Sequence, residues 1–119
     1  MTVEETLLAC LAGAAALAGM PVKSEMVLAT DSAPYVIYTQ FAGSRPSVLS
    51  GDAHLGNPRF QIDVYAATKA QAIAMKAAVR AAVLACAPLN AVFISDGSAY
   101  EENTKLYRHR QDFSLWFYD

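Results

Sequence analysis

The sequence predicts an α+β fold, a single domain over residues 1–119 in which two main helices pack on a mixed or antiparallel sheet of about four strands. Three observations lead to this prediction. The chain has 119 residues, 55% hydrophobic and 17% charged, as expected for one globular domain with its own core. Apolar residues alternate in some segments and recur at helical spacing in others. These segments follow in the order helix, strands, helix, strands, whereas parallel-sheet proteins alternate strand and helix.

The first predicted element is a helix near the amino terminus. Thr2 and Glu5 have the spacing of a capping box, and Gly19 with Pro21 predicts the end of the helix. Its apolar face carries Leu7, Leu8, Leu11, Ala15 and Ala18. The apolar run is too short to cross a bilayer, and acidic residues stand where a secretory signal needs positive charge. We therefore predict neither a membrane span nor a signal peptide, and expect a soluble protein.

The sequence pattern in the middle of the chain predicts a strand, a loop, a second strand and a helix, in that order. Tyr35–Phe41 is rich in β-branched and aromatic residues, which favours a strand. Ser44–Pro58 contains Gly, Ser, Pro and Asp, which predicts a long loop. Arg59–Ala66 alternates apolar and polar residues, as a strand with one buried face does. A helix follows over Lys69–Cys86.

The last third of the chain predicts two further strands. We expect a short strand over Ala91–Ile94, a polar acidic loop over residues 95–105, and a final strand over Leu106–Tyr118. In the final strand, apolar and polar residues alternate. This alternation again predicts a sheet with one face in the core.

The helix over Lys69–Cys86 is amphipathic and predicts the packing of the domain. Thr68 and Gln71 form its capping box, and Pro88 ends it. Its apolar side carries Ala72, Met75, Val79, Ala82, Val83 and Cys86. We expect this side to cover the sheet face that carries Phe60, Ile62, Val64, Phe113, Leu115 and Phe117. A register slip of one residue would expose three large apolar side chains in either strand, so the register is strongly specified.

Cys10 and Cys86 each lie in an apolar helical pattern. Small secreted domains normally carry several cysteine pairs, so we predict two buried, reduced thiols rather than a disulfide. Neither cysteine has a basic setting or a neighbouring histidine that would activate it as a nucleophile.

Residues that commonly carry chemistry form no recognisable site. His54 and His109 lack a partner at metal-ligand spacing, and we expect both to be solvated surface residues. Asp96, Glu101 and Glu102 lie in a polar segment, where neighbouring acids are usually solvated rather than a catalytic pair. The glycines follow no phosphate-binding spacing, and a net charge of −2 does not indicate nucleic acid or an acidic membrane as a partner. We predict no enzyme activity, metal or cofactor.

Two surfaces are candidate interfaces. The polar face of the sheet carries Gln61, Asp63, Tyr65, Asp112, Ser114, Trp116 and Tyr118. Aromatic side chains among polar ones are typical of interface centres, but the first helix or residues 21–33 covering this face is an equally good interpretation. Charges are also segregated, with Lys69, Lys76 and Arg80 on the exposed side of the helix and the acids in the following loop. In a head-to-tail assembly, the acidic loop of one subunit would meet the basic helix of the next.

Three segments resemble the tail-completion family of long-tailed phages and prophages, whose members are tail-terminator or tail-to-head joining proteins. They are PYVIYTQFAGSRP from Pro34, RFQIDVYAATKAQAIAMKAAVRAAV from Arg59 and LYRHRQDFSLWF from Leu106. The resemblance covers residues 34–118, and the first helix fits the leading helix of the family. It implies an α+β fold with about four strands and two principal helices, and a structural, non-enzymatic role.

Proteins of this family cap the finished tail tube as a ring, usually of six subunits, stop its polymerisation and present a surface to the head connector. The resemblance thus implies as partners further copies of this chain, the tail tube protein and the head connector or completion protein. It implies neither a membrane nor direct nucleic-acid recognition. We expect a free monomer that assembles in the cytoplasm of the bacterial host and ends at the head–tail junction of the virion.

Contact residues of such a ring are predicted on the long loop, the basic helix, the acidic loop and the polar sheet face. They are Arg45, Asp52, His54, Lys69, Lys76, Arg80, Glu101, Glu102, Tyr65, Trp116 and Tyr118. The alternative is a protein of a different class, a small α+β protein-binding or regulatory module, for example a dimer, that uses its open sheet face.

Overall fold

The computed structural model of the chain describes residues 3–14, 22–24, 34–44, 47–48, 51–52, 55–103 and 105–118. The helices are α1 (Val3–Ala12), α2 (Lys69–Ala85) and a short 3-10 helix (Ala87–Leu89). The strands are β1 (Val22–Ser24), β2 (Tyr35–Ser44), β3 (Ser47–Val48), β4 (Gly51–Asp52), β5 (Leu55–Ala66), β6 (Val92–Glu101), β7 (Leu106–Ser114) and β8 (Phe117–Tyr118). The predicted α+β class is confirmed. The predicted cap Thr2, Gly19 and Pro21 lie outside the described residues, but α1 ends earlier than predicted, at Ala12, since the described Gly13 and Ala14 are not helical.

The main sheet has the order β1-β2-β5-β7-β6. Its four long strands, β2, β5, β7 and β6, pair antiparallel in that order. The short strand β1 joins the free side of β2 in parallel, which makes the sheet mixed. β8 pairs with the start of β5, and β3 pairs with β4 in a separate two-stranded ribbon. The prediction of a mixed or antiparallel sheet with about four strands is therefore confirmed.

The core lies between one face of the sheet and the two helices, as the apolar patterns predict. Thr68 caps α2 as predicted, because its side chain accepts a hydrogen bond from Gln71 N at 3.2 Å. The buried side chains of this core include Phe60, Ile62, Val64, Ala72, Met75, Val79, Val83, Phe113 and Leu115, together with Leu7 and Leu11 of α1. Ala82 and Phe117 pack at its margin and are only partly buried. Each fully buried large side chain contributes about 1.5–3 kcal/mol, so the predicted register is strongly held.

Two predicted loops contain strands instead. Within residues 44–58, β2 and β5 continue their pairing as far as Ser44 and Asn57, and β3 and β4 pair beyond them. Within residues 95–105, β6 continues to Glu101 and pairs with β7 throughout. The composition of both segments is typical of loops. Strand formation depends on the neighbouring strand more than on local propensity, so pairing outweighs composition here.

The predicted final strand Leu106–Tyr118 is interrupted between β7 and β8. Leu115 stands opposite Pro58 of β5, whose nitrogen carries no hydrogen. Leu115 N donates to Pro58 O at 2.9 Å, but the return bond of a regular ladder is impossible. The Asn57 side chain supplies the missing donor, since its Nδ2 lies 2.7 Å from Leu115 O. Pro58 thus ends the hydrogen-bonded ladder between β5 and β7, and the buried Asn57 side chain donates to the Leu115 carbonyl, which would otherwise lack a donor.

The prediction of two reduced thiols is wrong, because Cys10 and Cys86 form a disulfide. Helix α1 packs beside the end of α2, and this contact brings the two Cα atoms to 6.1 Å. That distance lies in the usual range for a disulfide. The bond depends on the packing of two helices that are 76 residues apart in sequence, which cysteine counting does not reveal.

Within the described part of the chain, no helix has the length and apolar character needed to span a membrane.

Candidate interaction surfaces

The sheet face opposite the helices holds an ion pair that the sequence analysis missed. Arg108 Nη2 of β7 lies 3.2 Å from Asp63 Oδ2 of β5, and Gln61 Nε2 donates to the same oxygen at 3.0 Å. Asp63 is only 5% exposed, so its charge needs these partners. Burial works to lower the pKa of Arg108, but the charge and hydrogen bond of Asp63 outweigh it and leave that pKa raised.

Tyr65, a predicted contact residue on the same face, packs inside the chain. It forms a small buried cluster with Tyr35 and Ile37, against which Leu106 also packs. The rings of Tyr35 and Tyr65 stack with their centroids 4.9 Å apart. Burial is the largest of the influences that raise the pKa of Tyr65 to about 12. Tyr65 therefore fits the interpretation in which the aromatic residues of this face belong to a core, and it does not fit the one in which they form an exposed interface.

Trp116, a second predicted contact residue, stays at the surface with 36% of its area exposed. Its backbone is held firmly, since its N donates to Leu89 O at 2.9 Å and its O accepts from Asn90 Nδ2 at 3.0 Å. Asn90 has a φ of 45°, a left-handed conformation that asparagine tolerates better than most residues. The Trp116 indole is therefore an exposed aromatic group on a backbone held by hydrogen bonds, which suits an interface.

Tyr118, a third predicted contact residue of this face, belongs to β8, where its backbone pairs with Leu55 of β5.

The predicted basic side of α2 faces β6 of its own chain. Lys76 Nζ lies 3.1 Å and Arg80 Nη2 3.9 Å from Asp96 Oδ2. The Arg80 guanidinium also lies over the ring of Phe93, with its Cζ 3.9 Å from the ring centroid. These charges are partly exposed, and such surface pairs typically contribute about 0–1 kcal/mol. They nevertheless reduce the free charge that Lys76, Arg80 and Asp96 would offer to a neighbouring subunit.

The remaining predicted contact residues lie in several places. Lys69 is exposed in the first turn of α2, and Glu102 is exposed just after β6, whereas Glu101 at the end of β6 is half-buried. Asp52 belongs to β4, where its backbone pairs with Ser47. Arg45 and His54 lie outside the described residues.

The prediction that His109 is a solvated surface residue is wrong. It is 7% exposed and lies on the sheet face that α2 covers. Burial lowers the pKa of His109, the charges of Lys76 and Lys69 lower it further, and the charge of Asp96 acts in the opposite direction. The neighbouring Gln111 on the same face is fully buried and donates from Nε2 to Lys76 O at 2.8 Å, which ties β7 to α2. Among the described residues, no group of three or more His, Cys, Asp and Glu could hold a metal ion.

Exposed apolar side chains line the β6 edge of the sheet. The exposed fractions are 54% for Val92, 47% for Ile94 and 50% for Tyr100. Ile73 and Leu84 are each 46% exposed, and their spacing to Arg80 puts them on the side of α2 that flanks β6. Apolar groups gathered in this way are typical of an interaction surface. Val92 and Ile94 lie in the predicted strand Ala91–Ile94 and only Tyr100 lies in the predicted loop, so the strip was missed because the sequence does not show that β6 is an edge strand.

Comparison with known proteins identifies the family. The model of the family described as "Tail completion protein gp17" matches residues 5–118. A solved structure with a similar fold is a chain of the "Virion of native gene transfer agent (GTA) particle", with a TM-score of 0.75, 19% identity and coverage of 98% of this chain and 95% of that chain. At this identity the structural match establishes the fold alone. No curated protein matches the sequence significantly. Because the family match extends over nearly the whole chain, the protein belongs to the tail completion protein gp17 family.

Proposed function

We propose that this chain caps the tail tube of a phage or phage-like particle as an oligomeric ring, ends tube polymerisation and joins the tail to the head. The observation that carries the proposal is the family match over residues 5–118. The structural relative is a chain of a virion particle, which supports the same assignment. The role is structural and non-catalytic. Its partners are further copies of the chain, the tail tube protein and the head connector or completion protein.

Such a protein must bind the end surface of the tube without presenting that same surface for the addition of another layer. A tube grows because each layer presents to the next the same heterologous surface. A terminator must fit that surface on one side and present a different one on the other. The exposed Trp116 is one surface available for such a contact with the tube or the head. We propose a ring of six copies, formed at the tube end in the cytoplasm of the host and retained at the head–tail junction of the virion.

The predicted contact residues enter this proposal with unequal weight. Lys69, Glu102 and Trp116 are exposed and available to partners. Lys76 and Arg80 already pair with Asp96 of their own chain, so we propose that they support the contact surface instead of carrying intersubunit ion pairs. The predicted contacts of Arg45, Asp52, His54 and Tyr118 remain part of the proposal.

Sedimentation velocity, alone and with isolated tail tubes, tests the proposed function. We expect a monomer alone and a defined complex on the tube ends after mixing, visible as a terminal ring by negative-stain electron microscopy. Capped tubes should then fail to elongate when soluble tube protein is added, while uncapped tubes elongate. A stable dimer that ignores tubes and leaves elongation unchanged would refute the proposal and favour the alternative, a protein-binding or regulatory module.

A further inference from the structure

The main sheet ends on both sides in strand edges that no described strand pairs. On one side, β6 is the last strand along its whole length, Val92–Glu101. On the other side, β1 pairs only with residues 36–38 of β2, which leaves Thr39–Ser44 open among the described residues. Unpaired N–H and C=O groups along such edges are a template for another strand.

Each open edge carries a bulge with a large exposed apolar side chain. In β2 the register shifts between Gln40 and Ala42, so Phe41 is the extra residue, and it is 50% exposed. In β6 the register shifts between Phe93 and Ser95, so Ile94 is the extra residue, and it is 47% exposed. Neither side chain belongs to the core of its own chain, so both are available for a contact.

The two bulges lie at nearly the same height in the sheet. One cross-strand row connects the edges, since Gln40 pairs with Phe60, Phe60 with Phe113, and Phe113 with Phe93. Phe41 and Ile94 each lie one residue from this row, on opposite sides of it. A stagger of about two residues between adjacent copies brings them together, and a sheet that closes on itself requires a stagger.

Strand direction also suits a head-to-tail contact. The strands β2, β5, β7 and β6 alternate in direction, so β2 and β6 run opposite to each other. A second copy added in the same orientation therefore places its β2 antiparallel to β6 of the first copy. Every copy then uses both of its edges in one heterologous contact, which closes into a ring when the rotation per copy allows it.

We propose that β6 of one copy pairs with the open part of β2 in the next copy, with Ile94 packed against Phe41, so that a continuous sheet runs around the ring. This inference rests on the proposed function, because a ring is the assembly in which all edges are used. The exposed Ile73 and Leu84 of α2 extend the contact beside β6. Bulges weaken pairing at an isolated edge, which fits a contact that forms only when a tube end holds copies side by side.

A charge-exchange experiment on tail tubes tests this contact. Ile94→Glu and Phe41→Arg change exposed side chains at opposite edges, and each variant alone should lose ring formation on tube ends by roughly tenfold or more. The double variant should recover it, because the introduced acid then faces the introduced base at every contact. An equimolar mixture of the two single variants should also recover it, with the charge pair at every second contact. Ala74→Arg serves as the matched control and should form rings like the wild type, because Ala74 is exposed and its helical spacing places it on a different side of α2 from Ile73 and Leu84.

The outcomes separate this inference from the proposed function. Loss in both single variants with recovery in the double variant supports the contact between β6 and β2. Wild-type behaviour of both single variants overturns the contact and leaves the proposed function intact. Loss in Ile94→Glu alone, without recovery, also overturns it and assigns the β6 edge to another partner, such as the tube protein. Failure of the wild type to form rings on tubes overturns both. Circular dichroism of each variant confirms that its fold is retained.

Discussion

Removal of the disulfide between Cys10 and Cys86 should lower the free energy of unfolding by about 4.5 kcal/mol. The bond joins α1 to the C-cap of α2 across a sequence separation of 76 residues. A cross-link that closes a loop of this length removes roughly 15 cal/mol/K of entropy from the unfolded chain, which gives the stated value at about 25 °C. Typical domains have free energies of unfolding of about 5–15 kcal/mol. The bond is therefore expected to be a major part of the stability.

Denaturation of three samples measures this effect. Oxidised wild-type protein, wild-type protein reduced with a phosphine, and the Cys10→Ser/Cys86→Ser variant are unfolded by heat and by urea. The reduced protein and the double variant should melt at similar temperatures, about 15–20 °C below the oxidised protein. Agreement between these two samples separates the effect of the bond from that of replacing buried sulfur atoms. The single variant Cys10→Ser, which also lacks the bond, should behave like the double variant.

Two results would refute the reasoning about this bond. If the oxidised, unfolded protein titrates with two free thiols, the cysteines are not joined. If the bond is present but its reduction changes the melting temperature by less than a few degrees, loop closure does not contribute as the entropy argument requires. Either result would also show that the contact between α1 and α2 is held by apolar packing alone.

Three further predictions concern buried polar groups. The pKa of His109 is lowered in the folded state, so stability is expected to fall as the pH drops below about 6.5, the usual value in an unfolded chain, and His109→Gln should reduce this dependence in urea titrations between about pH 5 and 7. Arg108→Ala should cost about 1–3 kcal/mol because it leaves Asp63 buried without its cation, less than for a fully buried pair since the Arg108 side chain is 33% exposed; wild-type stability in this variant would contradict the ion pair. Asn57→Ala should cost about 1–3 kcal/mol and speed hydrogen exchange at Leu115 N, because it removes the donor to Leu115 O; unchanged exchange would show that another group replaces it.

The sequence predicted the elements whose signal is local. Alternation in Arg59–Ala66 and the capping box at Thr68 correctly place a strand and a helix, because each pattern is contained within its own element, although β5 begins earlier than predicted, at Leu55. The strand β6 was predicted only in part, because its segment from Ser95 to Glu101 consists largely of residues that are typical of loops. Its pairing with β7 decides its conformation, and no local pattern reports on that.

The candidate interaction surfaces were also predicted incompletely, because contacts between residues far apart in the sequence decide which side chains are exposed. The sequence left open whether the aromatic residues of the polar face are exposed or buried; Trp116 is exposed, but Tyr65 is buried, because Tyr35 stacks on it. The partner of Asp63 was missed for a related reason. Asp63 and Arg108 are 45 residues apart and meet only because the register of β5 and β7 puts them on neighbouring positions of one face.

The segregation of basic and acidic residues in the sequence suggested an attraction between subunits, but in the fold several of these charges lie close to one another within the same chain. Lys76 and Arg80 turn toward β6 and lie near Asp96 of the same chain, so these candidates for intersubunit ion pairs already have a partner within the chain. What they leave uncovered is apolar: Ile94 on the edge itself, with Ile73 and Leu84 beside it. An interface built in this way depends on shape and strand pairing more than on net charge.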